Sequence, residues 1–161
     1  MKNNLIYSDT DINSSLDRLK LLVVKRYSDR QPLCFLHSFG CQQNVSDGEK
    51  IKEMLSRAGY GFTNALDDAD LIIYNTCAIR ENAEDRVFGT IGNLKHIKNA
   101  KPDTVIGICG CMAQQDEIAE KIKNTYKQVD LVFGTYAYIN LYNMLSDILE
   151  KRIRVFDLSL S

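Results

Sequence analysis

The sequence has no excess of charge of either sign. Lys and Arg number 20 against 21 Asp and Glu in 161 residues, a net charge of −1. It therefore lacks the broad basic face with which an autonomous nucleic-acid binder neutralises phosphates. Any RNA partner would have to be gripped mainly from elsewhere. Long apolar runs are missing too. The densest early stretch, Leu21 to Val24, falls far short of the roughly 20 residues that span a bilayer. Met1 to Asn4 leads into polar sequence instead of an apolar segment with a small-residue cleavage site, so no secretory leader is expected. No membrane contact and a cytoplasmic location follow as expectations. Histidine is confined to His37 and His96, and proline to Pro32 and Pro102, each of which reads as an element boundary. There is no internal repeat and no low-complexity tract.

What is present is ordinary for a globular chain: 45% hydrophobic and 25% charged residues. This length supports one domain with a proper core and an additional arm. Residues 1–31 are read as the arm, with helical potential from Asp11 to Tyr27. Residues 32–150 are the domain, and residues 151–161 begin a connection to further sequence or add a strand at Arg152 to Phe156. Within the domain, short apolar runs alternate with helical periodicity. Strands are expected at Leu33 to Ser38, Tyr60 to Thr63, Leu71 to Thr76, Thr104 to Cys109 and Leu131 to Phe133. After the first comes a helix that Ser46 and Glu49 would open as a capping box, with Gly59 at its left-handed cap. A helix carrying Ala83, Val87, Ile91 and Leu94 follows the third strand. Another with Ile118, Ala119 and Ile122 follows the fourth, and the last is striped by Tyr138, Leu141, Leu145 and Ile148. Continuous apolar strands between amphipathic helices predict an α/β, flavodoxin-like, doubly wound parallel sheet of about five strands, order 2-1-3-4-5, with helices on both faces.

In a reducing compartment, five cysteines are ligands, catalysts or core residues before they are disulphides. Cys41, Cys77 and Cys111 each follow a predicted strand, namely the first, third and fourth. Those strands are neighbours in the expected order. Adjacent strands lie about 4.8 Å apart, so the outer two of the trio are only about 10 Å apart, and loops from their carboxyl ends can surround one small object. Following helix N-termini would favour the thiolate form. Gly40 and Gly110 let the backbone approach closely. The wide spacing and the shortage of histidine argue against zinc. A three-thiolate iron–sulphur cluster with one iron left without a protein ligand fits better. Two alternatives stay open: a Cys109/Cys111 redox dithiol, and no chemistry at all, since cysteine is among the most buried residue types. Cys34 and Cys109, inside strands, are read as core. His37 is read as a packing residue and His96 as solvated.

The blocks Gly40-Cys41-Gln42-Gln43-Asn44, Asn75-Thr76-Cys77-Ala78-Ile79-Arg80-Glu81-Asn82-Ala83-Glu84 and Cys109-Gly110-Cys111-Met112-Ala113-Gln114 resemble the radical-SAM methylthiotransferases. The stretch Val129 to Thr135 is similar as well, and Gln43 stands where relatives often carry methionine. The resemblance, from about Leu33 to Leu149, implies that Cys41, Cys77 and Cys111 hold an auxiliary 4Fe–4S cluster. It further implies a second 4Fe–4S cluster and S-adenosylmethionine in a radical-SAM domain bound through Cys-x-x-x-Cys-x-x-Cys, a motif this chain does not contain. The implied activity is addition of a methylthio group to an adenosine beside the anticodon. Its partners would be that radical-SAM domain and the transfer-RNA anticodon stem-loop. On this expectation the chain is part of an enzyme, inactive alone and without catalytic residues of its own. A contact with RNA is expected at the helix carrying Arg86, Lys95 and Lys98. The rivals are a thiol–disulphide redox domain and a non-catalytic flavodoxin-like module. The latter would need a phosphate-binding loop, or carboxylates, where this chain has Phe39, Cys41 and Cys77.

Overall fold

The computed structural model describes residues 9–39, 42–77 and 83–158. Its strands are β1 (Leu33–Ser38), β2 (Gly61–Phe62), β3 (Leu71–Thr76), β4 (Val105–Gly110), β5 (Leu131–Phe133) and β6 (Val155–Asp157). They form one sheet in the order β2-β1-β3-β4-β5-β6, and every neighbouring pair is parallel. β3 is buried at every position. That is why its sequence is a continuous apolar run and not an alternating one.

The helices are α1 (Asp9–Arg26), α2 (Gln42–Arg57), α3 (Ala83–Asn93), α4 (Lys95–Ala100), α5 (Asp116–Thr125) and α6 (Leu141–Lys151). Residues of α1, α2 and α6 share one core with Cys34, Leu71, Ile73, Val105, Cys109 and Phe133. Residues of α3, α4 and α5 share the opposite core with Ile72, Tyr74, Ile106, Ile108 and Val132. The sheet is therefore doubly wound, as the alternation of elements implies. Among the described residues no helix is long and apolar enough to cross a membrane.

Several local expectations are corrected. The sheet has six strands among the described residues: of the two readings of the last residues, the added strand is the one found, at Val155–Asp157, because the chain after α6 returns to the sheet. Arg152 takes the left-handed conformation at φ 55° and ends α6. Arg154 then donates from Nε to the Val129 carbonyl at 2.8 Å and from its terminal nitrogens to carbonyls at the end of α5. This holds β6 beside β5. The second strand shrinks to two residues.

Ser46 does not cap α2, which already begins at Gln42. Gly48 lies so close to β1 that a Cβ there would stand 2.6 Å from Ser38 Oγ. The first turns of α2 must thus already run over the sheet edge. Gly59 does adopt the left-handed region, at φ 106°. The single helix expected after β3 is divided at Leu94 (φ −78°, ψ −7°). Gly92 and Asn93, both weak helix formers, precede the break. His37 is exposed, not packed inside; its ring sits edge-on to Phe39 with centroids 4.6 Å apart. His96 is exposed as expected.

The helix expected from Asp11 to Tyr27 is α1. Its Leu19 and Val23 lie inside the first core, and Arg18 bridges to Asp147 and Glu150 of α6, each at 3.0 Å.

Candidate functional site

The carboxyl ends of β1, β3 and β4 stand side by side. Thr76 pairs with Gly110, so Cys77 and Cys111 leave neighbouring strands at the same height. Beside them Ser38 pairs with Asn75, and the Phe39 N–H donates to the Asn75 carbonyl at 2.8 Å. Cys41, two positions after Phe39 in the sequence, lies outside the described residues. Among the described residues no three His, Cys, Asp or Glu side chains converge as a metal-binding group.

The β3–β4 end is tightly built. The Thr76 hydroxyl donates to the Cys109 carbonyl at 2.6 Å. Gly110 has φ 99°, and a Cβ on it would lie 2.3 Å from the Thr76 carbonyl oxygen and 2.8 Å from Asn75 Oδ1. Only glycine fits that conformation in that space. The chain then turns twice, with the Gln114 N–H reaching the Cys111 carbonyl at 3.3 Å and the Gln115 N–H reaching that of Met112 at 3.2 Å. Met112 and Ala113 anchor this turn in the second core, while Cys111 faces outward. Cys77 is buried.

Cys111 stands five residues before α5 begins at Asp116, so its sulphur is not at a helix N-terminus. The donor that serves it is the Thr135 hydroxyl, 3.6 Å from Sγ. Thr135 follows β5, the strand next to β4 on the side away from β3. The spacing of the cysteines gave no reason to single out this residue; only the Val129 to Thr135 block pointed to its loop.

Cys34 and Cys109 occupy the first core, as their place in strands suggests. Burial pushes the Cys34 thiol up to about 12, and pushes that of Cys109 well above the ordinary thiol range. Both are held protonated, the form that neither binds metal nor attacks a disulphide. Cys109 also lies 3.7 Å from Asn75 Oδ1, toward which its thiol points. A shallow hollow opens above this edge. It is lined by Asp47, Lys50, Asn75, Gly110, Thr135 and Tyr138 among others.

The positive side chains expected to meet RNA are not equivalent. Arg86 and Lys95 are exposed, on α3 and α4 respectively. Lys98 is engaged, its Nζ lying 2.5 Å from Asp130 Oδ2 and 2.7 Å from the Thr104 carbonyl.

Residues 34–134 match the model of the uncharacterized protein family UPF0004. The chain is also similar to proteins named tRNA-2-methylthio-N(6)-dimethylallyladenosine synthase. That of Acetivibrio thermocellus is 44% identical over 144 residues, 88% of this chain and 30% of the relative. That of Clostridioides difficile is 50% identical over 113 residues, 70% of this chain and 23% of the relative. That of Caldicellulosiruptor saccharolyticus is 45% identical over 122 residues, covering 76% and 26%. The chain thus spans less than a third of the length of these relatives.

Proposed function

The chain belongs to the uncharacterized protein family UPF0004, and from that premise we propose that it is the sulphur-handling part of a transfer-RNA methylthiotransferase. The reaction is the one its relatives' name describes, placing a methylthio group at C2 of N6-dimethylallyladenosine. The observation that carries the reading is the strand order: β1, β3 and β4 are contiguous, and each is followed by a cysteine. Cys41, Cys77 and Cys111 are the proposed ligands of an auxiliary 4Fe–4S cluster. When bound, such a cluster supplies an iron without a protein ligand, where an exogenous sulphur can be held.

The residues present fit this group. Two cysteines follow adjacent strands at one height, and the positive-φ turn at Gly110, packed against Thr76, leads into the second of them. A hydroxyl already faces one of the two sulphurs. The second 4Fe–4S cluster, S-adenosylmethionine and most of the grip on the anticodon stem-loop belong, on this reading, to a radical-SAM portion outside this chain. A cytoplasmic location goes with a transfer-RNA substrate. A redox dithiol of Cys109 and Cys111 is disfavoured, because the Cys109 thiol is buried and held protonated.

The test is anaerobic reconstitution with iron and sulphide, followed by counting both. Alanine at Cys41, Cys77 or Cys111 should abolish or severely impair assembly, whereas Cys34→Ala and Cys109→Ala should retain it. Loss in Cys109→Ala with Cys111→Ala unaffected would show the wrong member of the Cys-Gly-Cys pair to have been chosen.

A further inference from the structure

The loop after β5 carries no cysteine, yet it is built toward one. Thr135 sits one residue beyond Gly134, in the loop that follows β5, the strand flanking the cysteine-bearing trio. Its hydroxyl donates to Cys111 Sγ, and its backbone N–H donates to Gln114 Oε1 at 3.1 Å. Gln114 belongs to the turn that starts at Cys111. The two loops are therefore joined twice, once at the sulphur and once between the Thr135 backbone and the Gln114 side chain, three residues on from Cys111. Gly134 makes the second link possible, since a Cβ there would lie 2.9 Å from Gln114 Cδ. The Gly134 N–H is held in turn by the Asp157 carbonyl of β6 at 3.0 Å. The backbone that carries the hydroxyl is thus held twice, at the Thr135 N–H by the Gln114 side chain and at the Gly134 N–H by the Asp157 carbonyl.

We propose that Thr135 is a positioning residue for the cluster, its hydroxyl orienting Cys111 Sγ and its hydrogen bond making the loaded protein easier to reduce. This rests on the cluster reading above. Hydrogen bonds to ligating sulphur stabilise the added negative charge of the reduced state and so raise the reduction potential. Removing an outer partner of a metal ligand weakens metal binding by about 10–100-fold. A threonine that served only the turn would act through its backbone, and its hydroxyl would be dispensable.

The experiment compares the 161-residue chain with its Thr135→Val, Thr135→Ser and Cys111→Ala variants, each reconstituted anaerobically with ferrous iron and sulphide. Iron and sulphide are counted, release of iron to a chelator is timed, and the midpoint potential is followed by electron paramagnetic resonance. Thr135→Val should release iron about tenfold faster. Its potential should be more negative, a tenfold change in the reduced-to-oxidised ratio corresponding to about 59 mV for one electron. Thr135→Ser, which keeps the hydroxyl, should behave as the parent does. A folded Thr135→Val chain that takes up no iron, with Thr135→Ser loading normally, supports the proposal equally. Thr135→Val matching the parent in both release and potential overturns it, as does Thr135→Ser being as impaired as Thr135→Val. Failure of the cluster reading looks different: the parent then binds no iron, or Cys111→Ala keeps it.

Discussion

At the residue scale, the site depends on a glycine that carries no chemistry. Gly110 combines a positive φ with a carbonyl oxygen 2.3 Å from where a Cβ would stand. A residue forced into such backbone costs about 1–3 kcal/mol before any clash is counted. Gly110→Ala should therefore lower the unfolding free energy by at least about 2 kcal/mol, read as a shifted urea midpoint. A midpoint equal to that of the parent would mean the turn relaxes freely. A second residue works at the opposite sheet edge. Asp70 receives two Arg30 N–H bonds at 2.6 and 2.7 Å and the Leu33 N–H at 2.9 Å. Burial pushes its carboxyl up, but the Arg30 and Leu33 hydrogen bonds outweigh this and hold it below the usual carboxylate range. The stabilisation is present above the unfolded value, about 3.9, and is lost as pH falls through the lower native value. Arg30 is half-exposed and partly screened, so Asp70→Asn should cost about 1.5–2 kcal/mol at pH 7. That gap should narrow in acid. Paired urea melts from pH 7 to below pH 4 test it, and a gap independent of pH would exclude the ionic origin.

At the element scale, α1 shows how burial sorts apolar residues that sequence periodicity blurred. Leu19 is fully buried against the first core, while its near neighbour Leu21 is 73% exposed. Leu19→Ala should destabilise the protein by about 3 kcal/mol through lost burial and an unfilled cavity. Leu21→Ala should stay within about 0.5 kcal/mol of the parent. Equal effects on thermal or urea unfolding would show that α1 is not docked on α6 as described. The core contact and the Arg18 bridges make α1 part of the layer that includes α2 and α6, and the Tyr142 hydroxyl, which donates to the Met54 carbonyl at 2.9 Å, ties α6 to α2.

At the scale of the whole molecule, charge decides what this chain does by itself. With a net charge of −1, and with Lys98 already bound to Asp130, Arg86 and Lys95 remain as the exposed cations of the expected RNA contact. Binding of an anticodon stem-loop should be weak and should fall steeply with salt. Fluorescence anisotropy at two salt concentrations measures this. Tight binding that survives the higher salt would reveal a nucleic-acid surface that charge does not explain. The same chain, mixed with S-adenosylmethionine and reductant, should form no 5′-deoxyadenosine, because it contains no Cys-x-x-x-Cys-x-x-Cys motif.

The alternation of elements was legible in the sequence, because burial on both faces of β3 leaves a continuous apolar run and burial on one face of α5 leaves a helical period. So was the placing of Cys77 and Cys111 just after strands, and of Cys34 and Cys109 inside them. The start of α2 was misread because a capping box is a local signal, whereas the approach of Gly48 to Ser38 is a tertiary one. Only the folded chain decided between a connection and a sixth strand at the last residues, with Arg154 securing the strand, and that Lys98 would turn to Asp130 and His37 would face outward. Above all, only the fold brought the Thr135 hydroxyl to Cys111. Periodicity reports on neighbours three, four or two positions apart; Thr135 and Cys111 lie 24 positions apart, and parallel pairing of β4 with β5 is what makes them neighbours.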